Sequence, residues 1–250
     1  MVSTTVSVFT IAGTIGLAAL LIAGVSVAAR RTSSDPGRVT AVGASIIVVW
    51  ILAAFLLGGN GVFASEPETQ VPLIALGISG PIAIGIGAWY RSERVRELAG
   101  AAPLPWLIGI QLYRVLGAVF LIALAEKAMP AEFALPAGIG DIVVGLAAPA
   151  VGYAVYKRVR SYRTMATSWN VFGFADLVVA VGTGFATSPS VFQFLSTDAP
   201  NFAITRFPLV LIPTFLVPIS VLLHFFVLKH PDVQVAPGRP AAPMVGLARR

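Results

Sequence analysis

The sequence contains no cysteine and only two histidines, His224 and His230. Without cysteine the chain can form no disulfide, no thiolate metal site and no cysteine nucleophile. Two histidines are also too few for a histidine-rich metal centre. We therefore expect neither a metal nor any other cofactor.

Charge is scarce as well. Only 11% of the 250 residues are charged and 57% are hydrophobic, whereas a soluble domain usually carries about 25% charged residues. The net charge is +6, but the basic residues form short clusters between long apolar blocks. This placement is typical of topology determinants in membrane proteins. The composition predicts a protein whose partner is the lipid bilayer and not a nucleic acid.

Seven apolar blocks are long enough to span a membrane, which requires about 20 residues for a hydrocarbon core of about 30 Å. The blocks are approximately Ser7–Ala29, Ala41–Phe63, Val71–Tyr90, Trp106–Ala125, Phe133–Tyr156, Trp169–Thr187 and Phe207–Leu228. They predict an all-α integral membrane protein, a seven-transmembrane-helix bundle that forms one domain over residues 1–230. The tail 231–250 is rich in Pro, Gly and Ala, and we expect it to be disordered.

The orientation follows from the basic residues. Fourteen of the seventeen Lys and Arg residues follow the first, third, fifth and seventh blocks. The alternate loops contain only Lys127 and Arg206, and Arg114 lies inside a block. Because basic loops stay in the cytoplasm, we predict an N-terminus outside and a cytoplasmic C-terminus.

Blocks five and six each place one aspartate, Asp141 and Asp176, in a stripe of Gly and Ala. Small-residue stripes let helices approach closely, so both carboxylates should face protein and not lipid. Block seven contains Pro208, Pro213 and Pro218. Each proline removes a backbone donor, which predicts a bent helix whose freed carbonyls bond to neighbours or water.

Arg114, Asp141 and Asp176 are charged residues at membrane depth, where charge is costly and usually faces a partner or a cavity. From the helical rise, Arg114 and Asp176 lie about 12 and 10 Å above the cytoplasmic edge, and Asp141 about 18 Å. Arg114 can then reach either carboxylate or both. Gln111 lies on the same helical face and can add hydrogen bonds.

One cation beside two carboxylates supports two interpretations. An unmatched buried carboxylate takes up a proton or recruits a cation, which indicates a binding centre, and Arg114 also suits an anionic ligand. Alternatively, the charges form a structural salt bridge between helices four, five and six. Asn170 and His224 are further candidates for ligand or ion binding, placed near the cytoplasmic rim at depths of about 2 and 5 Å.

Three known membrane-protein arrangements do not fit. Gly77-Ile78-Ser79-Gly80 resembles the GxSG motif of rhomboid proteases, but the predicted depths of Ser79 and His224 differ by about 13 Å. A retinal protein needs a lysine inside block seven, which has none before Lys229. Progestin-receptor-like and ceramidase-like hydrolases need more histidines. We assign no catalytic residue.

Four segments carry a resemblance to a known group. They are Gln111-Leu-Tyr-Arg114, Leu135-Pro-Ala-Gly-Ile-Gly-Asp141, Trp169-Asn-Val-Phe-Gly-Phe-Ala-Asp176 and Arg206-Phe-Pro-Leu-Val-Leu-Ile-Pro213. Over about residues 105–228 the chain resembles a group of uncharacterised bacterial polytopic membrane proteins. The resemblance implies a multi-pass protein of the bacterial inner (plasma) membrane and no mechanism.

The leading functional hypothesis is therefore a polar centre in helices four to six that binds or transports a small solute, a proton or a cation. A second hypothesis is an accessory or sensor subunit that acts through helix contacts, with a membrane partner or a second copy of the chain. A third is a membrane-embedded enzyme acting on lipid, which needs a lateral opening beside Asp141, Asp176 or His224.

Overall fold

A computed structural model describes residues 2–66, 72–195 and 200–234. The described residues form helices and connecting turns and contain no β-strand. The first four helices are α1 (Thr4–Thr32), α2 (Pro36–Gly59), α3 (Ile74–Arg91) and α4 (Glu93–Ala101). Next, α5 (Leu104–Gly109), a 3-10 segment (Ile110–Gly117) and α6 (Ala118–Ala125) follow without interruption. We call the whole stretch Leu104–Ala125 the Arg114 helix.

The second half contains two long helices and a composite one. These are α7 (Ala131–Tyr156), α8 (Tyr162–Thr187), and a π-helical segment (Ile212–Leu216) that continues into α9 (Val217–Lys229). We call Ile212–Lys229 the His224 helix. A short 3-10 turn (Ala203–Thr205) precedes it, and α10 (Pro231–Gln234) follows it. Thus the first four residues of the predicted disordered tail are helical, and 235–250 lie outside the described residues.

Six helices are long and apolar enough to cross a membrane: α1, α2, the Arg114 helix, α7, α8 and the His224 helix. The chain is accordingly an all-helical, multi-pass membrane protein. The predicted third span corresponds to α3, which has 18 residues, contains Pro81 and ends on Arg91. It is not among the six.

Three helices begin five or more residues away from the predicted start of their span, and the first of them is α2, which begins at Pro36 and not at Ala41. Helix α8 begins at Tyr162, seven residues before Trp169. The stretch 162–168 is helical, but it is too polar for an apolar block to include it. The His224 helix begins at Ile212 and not at Phe207. Pro208 and Pro213 supply no backbone N–H, which disfavours regular α-helix before Val217.

Polar contacts tie four segments together at one end of the bundle. Arg94 Nη1 donates to Thr32 O (3.1 Å) and Arg31 Nη1 donates to Ala101 O (3.1 Å). His230 Nε2 lies 3.1 Å from Ala102 O, and Arg163 Nε donates to Asp232 O at 3.0 Å. These contacts join the chain after α1, after α3, after α7 and after the His224 helix. We call this end the basic face.

A second set of contacts defines the other end. The Ser3 N–H donates to Glu126 Oε2 (3.0 Å), and the Ser65 N–H donates to Thr205 Oγ1 (3.2 Å). Arg206 Nη2 lies 2.7 Å from Glu66 Oε1. These contacts join the N-terminus, the segments after α2 and after the Arg114 helix, and the segment before the His224 helix. We call this end the opposite face.

The small-residue stripe of α7 packs against the Arg114 helix, as its sequence predicts. A Cβ on Gly145 would lie 2.8 Å from the Val115 backbone nitrogen, and one on Gly152 would lie 3.0 Å from Pro105 O. Contacts this close leave no room for a side chain. The stripe thus brings Asp141, on the same helix, next to Arg114.

The proline-rich helix also satisfies its carbonyls through neighbours. Pro218 has no N–H to donate to Thr214 O, four residues earlier. The indole of Trp50 in α2 donates to that oxygen at 3.1 Å, and its ring packs edge-on against Phe215 at 4.9 Å. A contact from α2 therefore satisfies a free carbonyl in the π-helical segment of the His224 helix.

Candidate functional site

Arg114 lies at the centre of a buried charge cluster and is only 2% exposed. Its Nε donates to Asp141 Oδ1 at 2.7 Å, and its Nη2 forms an ion pair with Asp176. One guanidinium thus pairs with two carboxylates from two different helices, α7 and α8. If all three groups are ionised, the cluster carries a net charge of −1.

The remaining guanidinium nitrogen contacts α8 and α9. Arg114 Nη1 donates to Gly173 O (3.1 Å) and lies 3.1 Å from His224 Nε2. Because a guanidinium only donates, His224 Nε2 must accept, so the imidazole is neutral with its proton on Nδ1. That Nδ1 pairs with Asn170 Oδ1, while Asn170 Nδ2 donates to His224 O at 3.0 Å. Asn170 and His224 therefore belong to the cluster.

The structure places Asn170 and His224 in the interior of the bundle. The sequence predicted depths near the cytoplasmic rim for both, below Arg114; both are fully buried, and His224 contacts Arg114 directly. Helix α8 begins seven residues before Trp169, where the sixth span was predicted to start. Asn170 lies eight residues into α8, which is about 12 Å along the helix.

Gln111 bonds to the His224 helix and not to the charges. Its Nε2 donates to Ser220 O (3.4 Å), and Ser220 Oγ donates to Gln111 Oε1 (3.5 Å). Beside it, the Tyr113 hydroxyl donates to Leu216 O at 2.9 Å and pairs with the Ser220 hydroxyl. Sequence reasoning missed Tyr113 and Ser220. The polar run Gln111–Arg114 in an apolar block was the available signal.

Three glycines make room for the cluster. A Cβ on Gly117 would lie 2.4 Å from Asp141 Cβ, one on Gly173 would lie 2.5 Å from His224 Cε1, and one on Gly140 would lie 1.6 Å from Asp176 Oδ1. A side chain at any of these positions would displace a charged or hydrogen-bonded group. The glycines are thus part of the site.

Two cavities meet at Asp141. The smaller, about 20 Å³, is bordered by Arg114, Tyr113 and Ser220. The larger, about 50 Å³ and partly open, lies between α3 and α8. One water needs about 10–15 Å³, so the smaller holds about one water and the larger several.

Asp141 is the member of the cluster that the larger cavity reaches. Among the described lining residues it carries the only charge. Its side chain is 16% exposed, compared with 7% for Asp176 and 1% for Arg114. The one charged group that a ligand in this cavity meets among the described lining residues is therefore a carboxylate.

Neither metal binding nor serine catalysis finds support in the described part of the chain. It contains no group of three or more His, Cys, Asp or Glu side chains arranged to hold a metal ion. Ser79 is exposed and donates to Ala75 O of its own helix at 2.7 Å, while both ring nitrogens of His224 face Arg114 and Asn170. The two residues therefore do not form a catalytic pair.

Comparison with known proteins gives a family and no activity. No curated protein and no solved structure matches the chain. The pattern of one family, a domain of unknown function designated DUF8737, matches residues 71–230. That range includes every residue of the charge cluster and covers more than half of the sequence, so the chain belongs to the DUF8737 family.

Proposed function

We propose that the protein crosses the membrane seven times, with its N-terminus outside and its C-terminus in the cytoplasm. The span that is added to the six is α3, the third in chain order. Its 18 residues extend about 27 Å, close to the hydrocarbon thickness of about 30 Å. Arg96 Nη1 donates to Trp89 O and Tyr90 O at its C-terminal end, on the basic face. Ile74, at its start, packs with Phe63 and Val210 near the opposite face. The basic face would be cytoplasmic.

We further propose that the cluster of Arg114, Asp141, Asp176, Asn170 and His224 binds or moves a small solute, a proton or a cation. The observation that carries this proposal is the cavity that reaches Asp141. A purely structural salt bridge needs no access, whereas a binding group does. The two carboxylates share one cation, and this favours a proton or a cation as the ligand, because uncompensated negative charge in a poorly solvated site gains from either.

Flux measurements in proteoliposomes test this proposal. Purified protein would be reconstituted with a pH-sensitive dye inside, and proton entry would be followed after an imposed potential, with and without an inward Na⁺ gradient. We expect Asp141→Asn and Asp176→Asn to abolish a flux that the wild type supports. Glu132→Gln is the matched control, since it neutralises an exposed carboxylate on the same helix as Asp141. Equal flux in all four proteins would contradict the proposal.

The accessory or sensor role stays as the second candidate, because every guanidinium nitrogen of Arg114 has a partner. Its nitrogens contact Asp141, Asp176, Gly173 O and His224, which also suits a rigid structural pin. This role predicts a stable partner, or a second copy, that co-purifies in mild detergent. It also predicts that a folded Asp141→Asn protein retains that association.

We also propose a location in the bacterial plasma membrane, which rests on the resemblance of segments such as Gln111–Arg114 and Trp169–Asp176. Fractionation of a bacterial host into inner and outer membranes, followed by detection of the chain, tests this. Recovery in the inner-membrane fraction is expected. Recovery in the outer-membrane fraction would contradict it.

A further inference from the structure

The larger cavity is a cleft with α3 on one side and α8 on the other, and residues of the Arg114 helix, α7 and the His224 helix also line it. Ile74 and Ile78 line one wall, and Leu177, Val181 and Phe185 line the other. Each helix makes its main packing elsewhere: α3 packs against the His224 helix and α8 against α7. If both helices span the membrane, an opening between them faces lipid.

The walls of the cleft are apolar and its inner end is anionic. Phe120 and Phe133, whose rings pack edge-on at 5.1 Å, line the cleft together with Asp141. Among the described lining residues, hydroxyl groups occur toward the opposite face, at Ser65, Ser188, Ser190 and Thr205. Sites for small organic ligands combine apolar walls with a few polar groups that fix orientation. The cleft has this character.

The charge at the inner end selects against anions. Nη1 and Nε of Arg114 are directed at Gly173 O, His224 and Asp141, and Nη2 is paired with Asp176. An anion in the cleft would therefore meet Asp141 without a free guanidinium edge. A monocation would instead neutralise the excess carboxylate of the cluster.

From these observations we infer that the ligand is a membrane-partitioned amphiphilic amine: a monocation that enters between α3 and α8 and places its ammonium group at Asp141. This inference rests on the proposed binding function and adds the chemical class and the route. The apolar part of the ligand lies against Phe120 and Phe133. The ammonium donates to the Asp141 carboxylate, of which Oδ1 is already paired with Arg114.

The test uses n-octylammonium as the probe and protein in lipid nanodiscs, titrated by calorimetry with empty nanodiscs as the reference. The wild type should bind the amine, and n-octanol and octanoate should show no protein-dependent binding. Asp141→Asn should weaken octylammonium binding about ten- to a hundredfold, which is the usual loss of affinity when a hydrogen bond to a charged group is removed. Glu132→Gln should bind like the wild type.

Two glycine substitutions test ligand binding in the cleft without changing the charge cluster. Gly184 lines the cleft, and a Cβ there lies 3.5 Å from Phe133 Cε2, an ordinary contact. Gly184→Leu should thus fill the cleft and abolish octylammonium binding while Arg114, Asp141 and Asp176 stay intact. Gly182→Leu, two residues away with no atom within 4 Å of its Cβ, should leave binding unchanged. If Asp141→Asn does not fold, these two glycine variants still test the inference.

The outcomes distinguish the two proposals. If Asp141→Asn abolishes proton or Na⁺ flux but octylammonium binding is absent, or is unaffected by Gly184→Leu, the amine inference is wrong and the proposed function stands. If neither flux nor amine binding depends on Asp141, both are wrong. Loss of amine binding in Asp141→Asn and Gly184→Leu, with binding retained in Glu132→Gln and Gly182→Leu, supports the inference.

Discussion

The α1–α2 pair and the region 71–230 have similar apolar composition but different construction. In the most apolar stretch of α2 only 6% of the residues are buried, compared with 67% in the His224 helix. The buried hydroxyls of α1, Thr10 and Thr14, donate to carbonyls of their own helix. In the family-matched region, the buried charged groups instead bond across helices, as Arg114 does with Asp141 and Asp176. Hydropathy finds both regions, but only the family-matched region contains a buried charge cluster that joins several helices.

The largest expected contrast comes from removing the central cation. Arg114→Gln leaves two buried carboxylates without their partner, and we expect it to lower the free energy of unfolding by about 3–5 kcal/mol. Val49→Ala, on a face of α2 where Val49 is 66% exposed, should change it by less than about 0.5 kcal/mol. Reversible unfolding in mixed detergent micelles measures both.

A charge-neutral triple variant sharpens this result. Arg114→Gln combined with Asp141→Asn and Asp176→Asn removes the uncompensated charges, so most of the lost stability should return. A triple variant as unstable as Arg114→Gln alone would mean that packing, and not charge pairing, holds the centre together.

A smaller contrast is expected between two glycines. Gly173→Ala pushes a methyl group to within 2.5 Å of His224 Cε1, and overpacking of this kind costs about 1–3 kcal/mol. Gly16→Ala in α1 meets no atom within 4 Å and should stay within about 0.5 kcal/mol of the wild type. The same unfolding assay compares them. Equal costs would show that α1 is packed as tightly as the centre.

The hydrogen bond from Trp50 to Thr214 O, which joins the two regions, should contribute still less to the free energy of unfolding. Trp50→Phe keeps a ring against Phe215 but loses the hydrogen bond to Thr214 O, and we expect a loss of about 1 kcal/mol. Trp89→Phe is the control, because its ring contacts with Phe225 and Phe226 survive the change. Equal stability of the two variants would mean that the hydrogen bond from α2 does not stabilise the π-helical segment.

The smallest expected effect concerns pH at the basic face. Burial lowers the pKa of His230 below its ordinary value of 6.5, and the neighbouring Ala102 carbonyl and Asp232 only partly oppose this. The unfolded chain therefore binds a proton at His230 more readily than the folded chain. The stability that the neutral His230 contributes is fully present above pH 6.5 and is lost as the pH drops below that value. His230→Gln should show a shallower loss between pH 7 and pH 5 in the unfolding assay. Identical pH profiles would contradict this assignment.

Much of this arrangement could be predicted from the sequence, but the connections could not. Each of the seven apolar blocks corresponds to a helix, and six of these helices are long and apolar enough to cross a membrane. The small-residue stripes also predicted that Asp141 and Asp176 face protein. The start of α8 at Tyr162 was not predicted, because hydropathy reports where a chain is apolar and not where a helix begins. The contact of His224 with Arg114 depends on which helices are neighbours, a relation that helical periodicity does not contain.

The central claim is that Asp141 is an accessible binding group and not only a structural one. Difference infrared spectroscopy of the protein in nanodiscs, recorded on addition of octylammonium, reports this most directly through the carboxyl and carboxylate bands. We predict a spectral change in the wild type and in Glu132→Gln that is absent from Asp141→Asn. A wild-type spectrum without any change, or a change that persists in Asp141→Asn, would contradict the claim.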